Sequence, residues 1–203
     1  RAMSQFWDER FAEPGFKYGL QANAFLRQQA SGWPAGRVLL PGDGEGRNSV
    51  WLAEQGHPVL AVDSSAVGLA KAAGLAAQRG VAARWAGEQA DLGDWAPAPA
   101  AFDAVVLVYV HLPSALRTGL HRRLVAGLRP GGRLLIEAFH PAQLGHASGG
   151  PRDPDMLMTL AALREDFAGL LSEQLGEEAE VVLDEGPGHQ GVARVTRYVG
   201  RRP

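Results

Sequence analysis

Val38-Leu39-Leu40-Pro41-Gly42-Asp43-Gly44-Glu45-Gly46-Arg47-Asn48 sets the frame for the rest of the chain. Three apolar residues run into glycines at alternate positions, Gly42, Gly44 and Gly46. A helical pattern follows at Val50, Trp51, Leu52 and Ala53, and a second apolar run, Val59 to Val62, ends in Asp63. Strand, tight turn, helix, strand and acid make the first half of a nucleotide-binding α/β unit. Glycine suits such a turn because it accepts positive φ and because a side chain would hold a ligand off the backbone. The N–H groups that open the helix then face an anionic group. Asp63, at the tip of the neighbouring strand, is placed to accept from both hydroxyls of a ribose.

The same alternation continues downstream. Ser64-Ser65 caps a helix predicted over Ala66–Arg79, closed by Gly80. Val81–Ala86 reads as a third strand, Phe102–Val110 as a buried parallel strand, and Ser114–Leu128 as a helix with Leu116, Leu120, Leu124, Val125 and Leu128 at helical spacing. Arg129-Pro130-Gly131-Gly132 is a turn by composition, before a strand over Arg133–Phe139. The pattern then changes. His140 to Asp155 is rich in glycine and proline and reads as a loop over the site, and a helix is expected over Met156–Leu175 with its Met/Leu/Phe face in the core. Two late strands, Glu180–Leu183 and Val192–Val199, joined through Gly186–Gly191, form an antiparallel pair. Upstream, Phe6 to Ala30 carries Trp7, Phe11, Phe16 and Tyr18 and a helix over Ala22–Gln29. Its aromatics either pack on the core or fold over a ligand.

Composition bounds the function. A chain of 203 residues with 46% hydrophobic and 21% charged residues suits one domain with a substantial core. A formal net charge of −2 gives no support to nucleic-acid binding, which usually shows as a basic surplus. The absence of cysteine removes disulfides, thiolate metal sites and cysteine nucleophiles. No apolar run reaches the ~18–20 residues of a membrane span and no signal-peptide pattern is seen, so a cytoplasmic protein is expected. No paired histidines or carboxylate cluster points to a metal.

The glycine spacing separates two cofactor classes. A dinucleotide turn, G-x-G-x-x-G, would need glycine where Arg47 stands, whereas this chain has G-x-G-x-G. With Asp63, Asp91-Leu92 and Pro130-Gly131-Gly132 in order, the chain resembles class I S-adenosylmethionine-dependent methyltransferases over nearly its whole length. Trp7-Asp8-Glu9-Arg10, Tyr18-Gly19, Gly44-Glu45-Gly46-Arg47-Asn48 and Leu128-Arg129-Pro130-Gly131-Gly132 look like the tellurite-resistance and thiopurine methyltransferase-like group. The resemblance implies a Rossmann-like α/β sandwich with a seven-stranded, mostly parallel sheet ending in an antiparallel pair. It implies one domain, with residues 1–36 as lid, 37–139 as cofactor-binding core and 140–203 on the substrate side.

Carried over residue by residue, the resemblance places Gly42, Asp43 and Gly44 under the methionine end of S-adenosylmethionine, with Arg47 near its carboxylate. Asp63 would hold the ribose, Ser64 would lie against the adenine, and Asp91 and Leu92 would border it. Val108, Tyr109 and His111 would lie beneath the sulfonium, while Arg10 and Tyr18 close over the methionine part. One position departs from the pattern: Leu40, followed by Pro41, stands where the family has an acid that orients the cofactor's amino group, and Asp43 is the nearest substitute.

His111 and His189 are the candidate catalytic groups, His111 because histidine titrates near neutrality at the end of the fourth strand. For His189 the resemblance implies a substrate-facing residue. The bland readings are a helix cap for His111 and a solvated turn for His189. Glu137 reads as a structural hydrogen-bond partner, Arg122-Arg123 as a solvated helix face, and His140 and His146 as surface or pocket lining. The expected reaction is methyl transfer to a small molecule, with a thiol or a selenium or tellurium species among the acceptors. Three alternatives stay open: a protein that binds the cofactor without transferring methyl, which Leu40 and Pro41 favour; a nicotinamide oxidoreductase, which Arg47 disfavours; and a nucleic-acid or protein methyltransferase, which would predict a basic or extended groove that this composition does not show.

Overall fold

The computed structural model describes residues 2–203. Its elements follow one another as α1 (Ala2–Ala12), α2 (Ala24–Ala30), β1 (Val38–Pro41), α3 (Arg47–Glu54), β2 (Val59–Asp63), α4 (Ala66–Gln78), β3 (Trp85–Gln89), β4 (Phe102–Val108), α5 (Ser114–Gly127), β5 (Leu128–Phe139), α6 (Leu160–Asp166), β6 (Ser172–Asp184) and β7 (Gln190–Arg201). The strands form one sheet in the order β3-β2-β1-β4-β5-β7-β6. β1 to β5 are parallel, and β7 is antiparallel to both β5 and β6.

Each face of the sheet is covered by helices, which is why the central strands are apolar on both sides. On one face Leu39, Val105 and Leu134 pack with Leu120, Leu124, Leu163 and Phe167 of α5, α6 and the turn after α6. On the other, Val38, Leu40 and Val106 pack with Phe25, Leu26, Val50, Leu52 and Leu75 of α2, α3 and α4. Strand order reverses between β1 and β4, and a sheet of this kind opens a crevice at the carboxyl ends of its strands at that point.

Local chemistry explains the helix starts. Ser65 caps α4 by accepting from the Gly68 N–H, and Asn23 caps α2 by accepting from the Leu26 N–H. Gly46, the N-cap of α3, has no side chain to do this, and the Asp43 carboxylate takes over by accepting from the Ser49 N–H and hydroxyl. Gly46 is needed for another reason: φ is +93°, and an added Cβ would lie 2.5 Å from the Ala72 side chain of α4.

Four expectations are corrected. α1 is a helix where the sequence reading places none. The third strand begins at Trp85, after a short turn of 3-10 helix at Ala82–Arg84. Residues 129–132 form a bulge inside β5: the register jumps from Phe102 opposite Leu128 to Ala104 opposite Arg133, with Gly131 at φ +80°. The helix expected over Met156–Leu175 is reduced to Leu160–Asp166, because from Ser172 the chain pairs with β7 along the latter's full length.

Candidate active site

A cavity of about 740 Å³ opens at the carboxyl ends of β1, β2 and β4. Arg10, Tyr18, Gly42, Asp43, Gly44, Arg47, Asp63, Ser64, Asp91, Leu92, Val108, Tyr109, His111 and His189 all line it. Sequence positions up to 179 apart are thus brought to one wall, from Arg10 to His189. Among the described residues, no group of three or more His, Cys, Asp or Glu side chains could hold a metal ion.

At one end the glycine turn meets the tip of β2. Asp63 is buried, and its carboxylate accepts from the Gly44 N–H at 2.8 Å and the Ser65 N–H at 2.9 Å. The Ser64 N–H also hydrogen-bonds it, so of the about four lone-pair sites a carboxylate offers, one remains open. Burial pushes its pKa up, against the pull of the Ser65, Gly44 and Ser64 N–H groups. Asp43 is pushed further, to about 7, first by burial and with the neighbouring Asp63 charge adding to it. Leu40 is buried against the Phe25 cluster and presents nothing to the cavity. The loop that carries Asp91 and Leu92 is fixed from outside the cavity. Arg123 donates to the carbonyls of Trp95, Leu92 and Gly93. This corrects the reading of Arg123 as a solvated residue; only Arg122 is exposed.

The roof is α1. Met3, Phe6, Trp7, Arg10 and Phe11 line the cavity from it. Asp8 accepts from the Ser65 hydroxyl at 2.6 Å and docks the helix on the start of α4. The Arg10 guanidinium hydrogen-bonds the Tyr18 side chain, yet its Nε is buried with no partner. Arg47 is buried and pairs with Glu185 at 3.1 Å.

The far end is aromatic. Tyr109 stacks on Phe139 at 4.6 Å, and His189 meets the rings of Tyr109 at 4.7 Å and Tyr18 at 4.3 Å. Tyr109 follows β4 with φ +54°, an unusual conformation for a side chain of this size. It is held there by Glu137, whose carbonyl accepts from the Tyr109 N–H and whose carboxylate accepts from the Tyr109 hydroxyl. The same carboxylate accepts from Asn23 at 3.0 Å and Arg197 at 2.6 Å, so three donors converge on a residue 1% exposed.

The two histidines differ. His111 Nε2 accepts from the Phe139 N–H at 3.0 Å, and the ring also hydrogen-bonds the Tyr109 backbone. Both nitrogens are engaged, so the lone pair a base needs is already in use. Burial lowers its pKa to about 4. His189 is lowered to about 3, first by burial and then by the charge of Arg47, and its Nδ1 has no partner. His140 accepts from the Ala142 N–H and pairs with Glu178 away from the cavity, and His146 is exposed. Met156, read as core, lines the cavity instead, while Met158 is in the core.

Several contributors escape the sequence reading. Asn23 and Glu185 sit outside any motif; only the position of Asn23 before a helix, a capping signal, marks it. Phe139 could have been found as the last residue of an apolar strand ending at the crevice.

A family profile described as a methyltransferase domain matches residues 38–132. The chain is 26% identical over 142 residues to the 2-heptyl-1-hydroxyquinolin-4(1H)-one methyltransferase of Mycobacteroides abscessus, a match that covers 69% of this chain. It spans less than two thirds of that relative's own length, 62%. Among solved structures, one from work on the conversion of a disulfide bond into a thioacetal group during echinomycin biosynthesis superposes with TM-score 0.76 at 22% identity, over 98% of this chain and 92% of that one. The N-methyltransferase NodS of Bradyrhizobium japonicum, solved with S-adenosyl-L-homocysteine, gives 0.73 at 16% identity over the whole of both chains. TehB of Haemophilus influenzae gives 0.71 at 15% identity over 98% of this chain and 67% of its own. The fold is the Rossmann-like methyltransferase fold.

Proposed function

We propose that this chain is an S-adenosylmethionine-dependent methyltransferase acting on a small molecule, as a single domain in which α1 and the loop after β5 serve as lid. The observation that carries this is one cavity with a carboxylate-tipped strand and glycine turn at one end and an aromatic box at the other. The residues suit the cofactor. Asp63 keeps acceptor capacity for a ribose hydroxyl, Arg10 Nε is an unpartnered buried donor, and a Cβ on Gly42 would lie 2.8 Å from Val110.

When bound, S-adenosylmethionine supplies a methyl group activated by its positive sulfur. The chain supplies binding, alignment and exclusion of water. In this reading Asp63 holds the ribose, and Ser64, Asp91 and Leu92 border the adenine. Gly42, Asp43, Gly44, Arg10, Tyr18 and Arg47 surround the methionine end. Val108 and Tyr109 flank the reacting centre, His189 faces the acceptor, and His111 fixes the end of β4. The acceptor is planar and largely apolar, which fits the walls Tyr18, Tyr109 and Phe139, the mouth at Met3 and Phe6, and the hydroxyquinolone in the relative's name. A second reading, a thiol or a selenium or tellurium species, is favoured by one observation: neither wall histidine titrates near neutrality, so an acceptor that needs no protein base is well served. Neither reading involves a nucleic-acid or membrane partner; no helix among the described residues is long and apolar enough to cross a membrane.

Calorimetric titration with S-adenosylmethionine and S-adenosylhomocysteine is the test, with Asp63→Ala as comparison. Saturable binding weakened by about 1–3 kcal/mol in the variant is expected, the cost of a lost charged acceptor. Absence of binding at millimolar ligand refutes the reading. Product analysis with 2-heptyl-1-hydroxyquinolin-4(1H)-one, thiophenol and tellurite then separates the two acceptor classes.

A further inference from the structure

The tip of the β6–β7 hairpin holds two buried polar atoms without partners. Glu185 Oε2 and His189 Nδ1 lie 4.0 Å apart, and neither makes a hydrogen bond. Leaving both unmet is costly, since each buried group has given up water without a replacement. Each satisfies the other if they approach by about 1 Å, the excess over an ordinary N–H···O distance. The rest of Glu185 is fixed. Its Oε1 accepts from Asn23 Nδ2 at 2.9 Å and pairs with Arg47 at 3.1 Å, so Oε2 is the end left for His189. On the other side of the imidazole lies Gly149, another cavity residue; a Cβ there would stand 3.1 Å from Nε2.

We propose that Glu185 is a positioning residue: it holds His189 as the Nδ1–H tautomer, which makes Nε2 a hydrogen-bond acceptor at the aromatic end of the cavity, so the molecule bound there carries an O–H, N–H or S–H donor at or beside its reacting atom. This rests on the methyltransferase reading for the identity of that molecule, and on the geometry alone for the tautomer. A carboxylate can only accept, so the proton between the two residues must sit on Nδ1. The low pKa of His189 keeps the ring neutral at physiological pH, with Nε2 free of a proton. Glu185 also joins the two ends of the site, because the carboxylate that orients His189 is the one that pairs with Arg47.

Ring-nitrogen NMR of the full chain labelled with 15N-histidine tests this directly. Near pH 7, His189 is expected as the Nδ1–H tautomer. In Glu185→Gln the amide oxygen remains with Asn23 and Arg47 and the amide NH₂ turns to His189, so the tautomer inverts to Nε2–H. Glu185→Asp restores Nδ1–H. A role limited to holding the hairpin together predicts no inversion in a variant that stays folded. For a donor-bearing acceptor such as 2-heptyl-1-hydroxyquinolin-4(1H)-one, kcat/KM is expected to fall about 10- to 100-fold in Glu185→Gln, as for one mismatched buried hydrogen bond. Nε2–H or a charged ring in the wild type, or an unchanged tautomer in the variant, overturns the positioning role. Equal turnover of the hydroxyquinolone by both proteins overturns the donor requirement. The expected tautomers without any methylation leave the role of Glu185 standing and count against the methyltransferase reading instead.

Discussion

Replacing Gly186 by alanine tests how tightly the hairpin tip and the N-terminal segment close the cavity. Gly186 has φ +71°, and an added Cβ would stand 2.1 Å from the Gly19 nitrogen and 2.4 Å from the Tyr18 carbonyl carbon. Those are backbone atoms, so no rotamer change relieves the overlap and the two segments must separate. Separation costs the Gly188 N–H···O bond to Lys17, 2.8 Å long, and the contact between Tyr18 and His189. Left-handed strain of about 1–2 kcal/mol, an unmade hydrogen bond of about 1–3 and a ring contact of about 0.5–1.5 together give roughly 2.5–6.5 kcal/mol. Gly191 is the control. It lies in the same hairpin at φ +100° with nothing within 4 Å of an added Cβ, so Gly191→Ala carries only the strain. Denaturant unfolding of both variants measures the difference, expected at about 1.5–4.5 kcal/mol, or roughly 3–18 °C in Tm for a chain of this size. Values within about 0.5 kcal/mol of each other would refute the close contact and, with it, the closed aromatic end of the cavity.

The other expectations concern buried charge. Glu137→Ala leaves Asn23, Tyr109 and Arg197 without their shared acceptor and should destabilise by about 3–5 kcal/mol in denaturant unfolding, with Glu137→Gln losing less. Asp43 has its folded pKa raised from the ordinary 3.8 to about 7, so the stability it contributes is present below pH 4 and lost as pH rises through 7. Asp43→Asn should therefore gain Tm relative to the wild type across that window, and a constant difference from pH 4 to 8 would contradict it. His111 and His189 shift the other way, from 6.5 to about 4 and about 3. Their contribution is present above pH 6.5 and lost as pH falls towards 4, which a pH series of melting curves reads.

What is legible in the sequence is whatever is decided locally. The run from Val38 to Asp63 carries its strand, turn and helix signals within a few residues, and its elements lie within a residue or two of their expected bounds. Only the start of β6, Ser172–Leu175, reads as the end of a helix, because Glu173, Gln174 and Leu175 favour helix; pairing with β7 overrides that preference. β3 is expected too early because its real residues, Trp85–Gln89, hold no apolar run and are largely exposed at the sheet edge. The cofactor-side candidates are legible because their spacing is fixed by the turn. Glu185, Asn23 and Arg123 are not, since each acts on a residue distant in sequence and has no motif of its own.

The outermost strand also bears on how these molecules treat one another. β6 ends the sheet with thirteen residues whose outer backbone edge has no strand beside it, and Val182 on it is 77% exposed. An edge of that length is a template on which a second molecule could extend the sheet indefinitely. Five of the thirteen residues are acids, Glu173, Glu177, Glu178, Glu180 and Asp184. Four of them are paired within the molecule, Glu173 with Arg164, Glu177 with Arg197, Glu178 with His140 and Glu180 with Arg194, so a second edge could dock only by displacing or sharing those pairs. That protection belongs to ionised carboxylates, and it weakens as acid neutralises them.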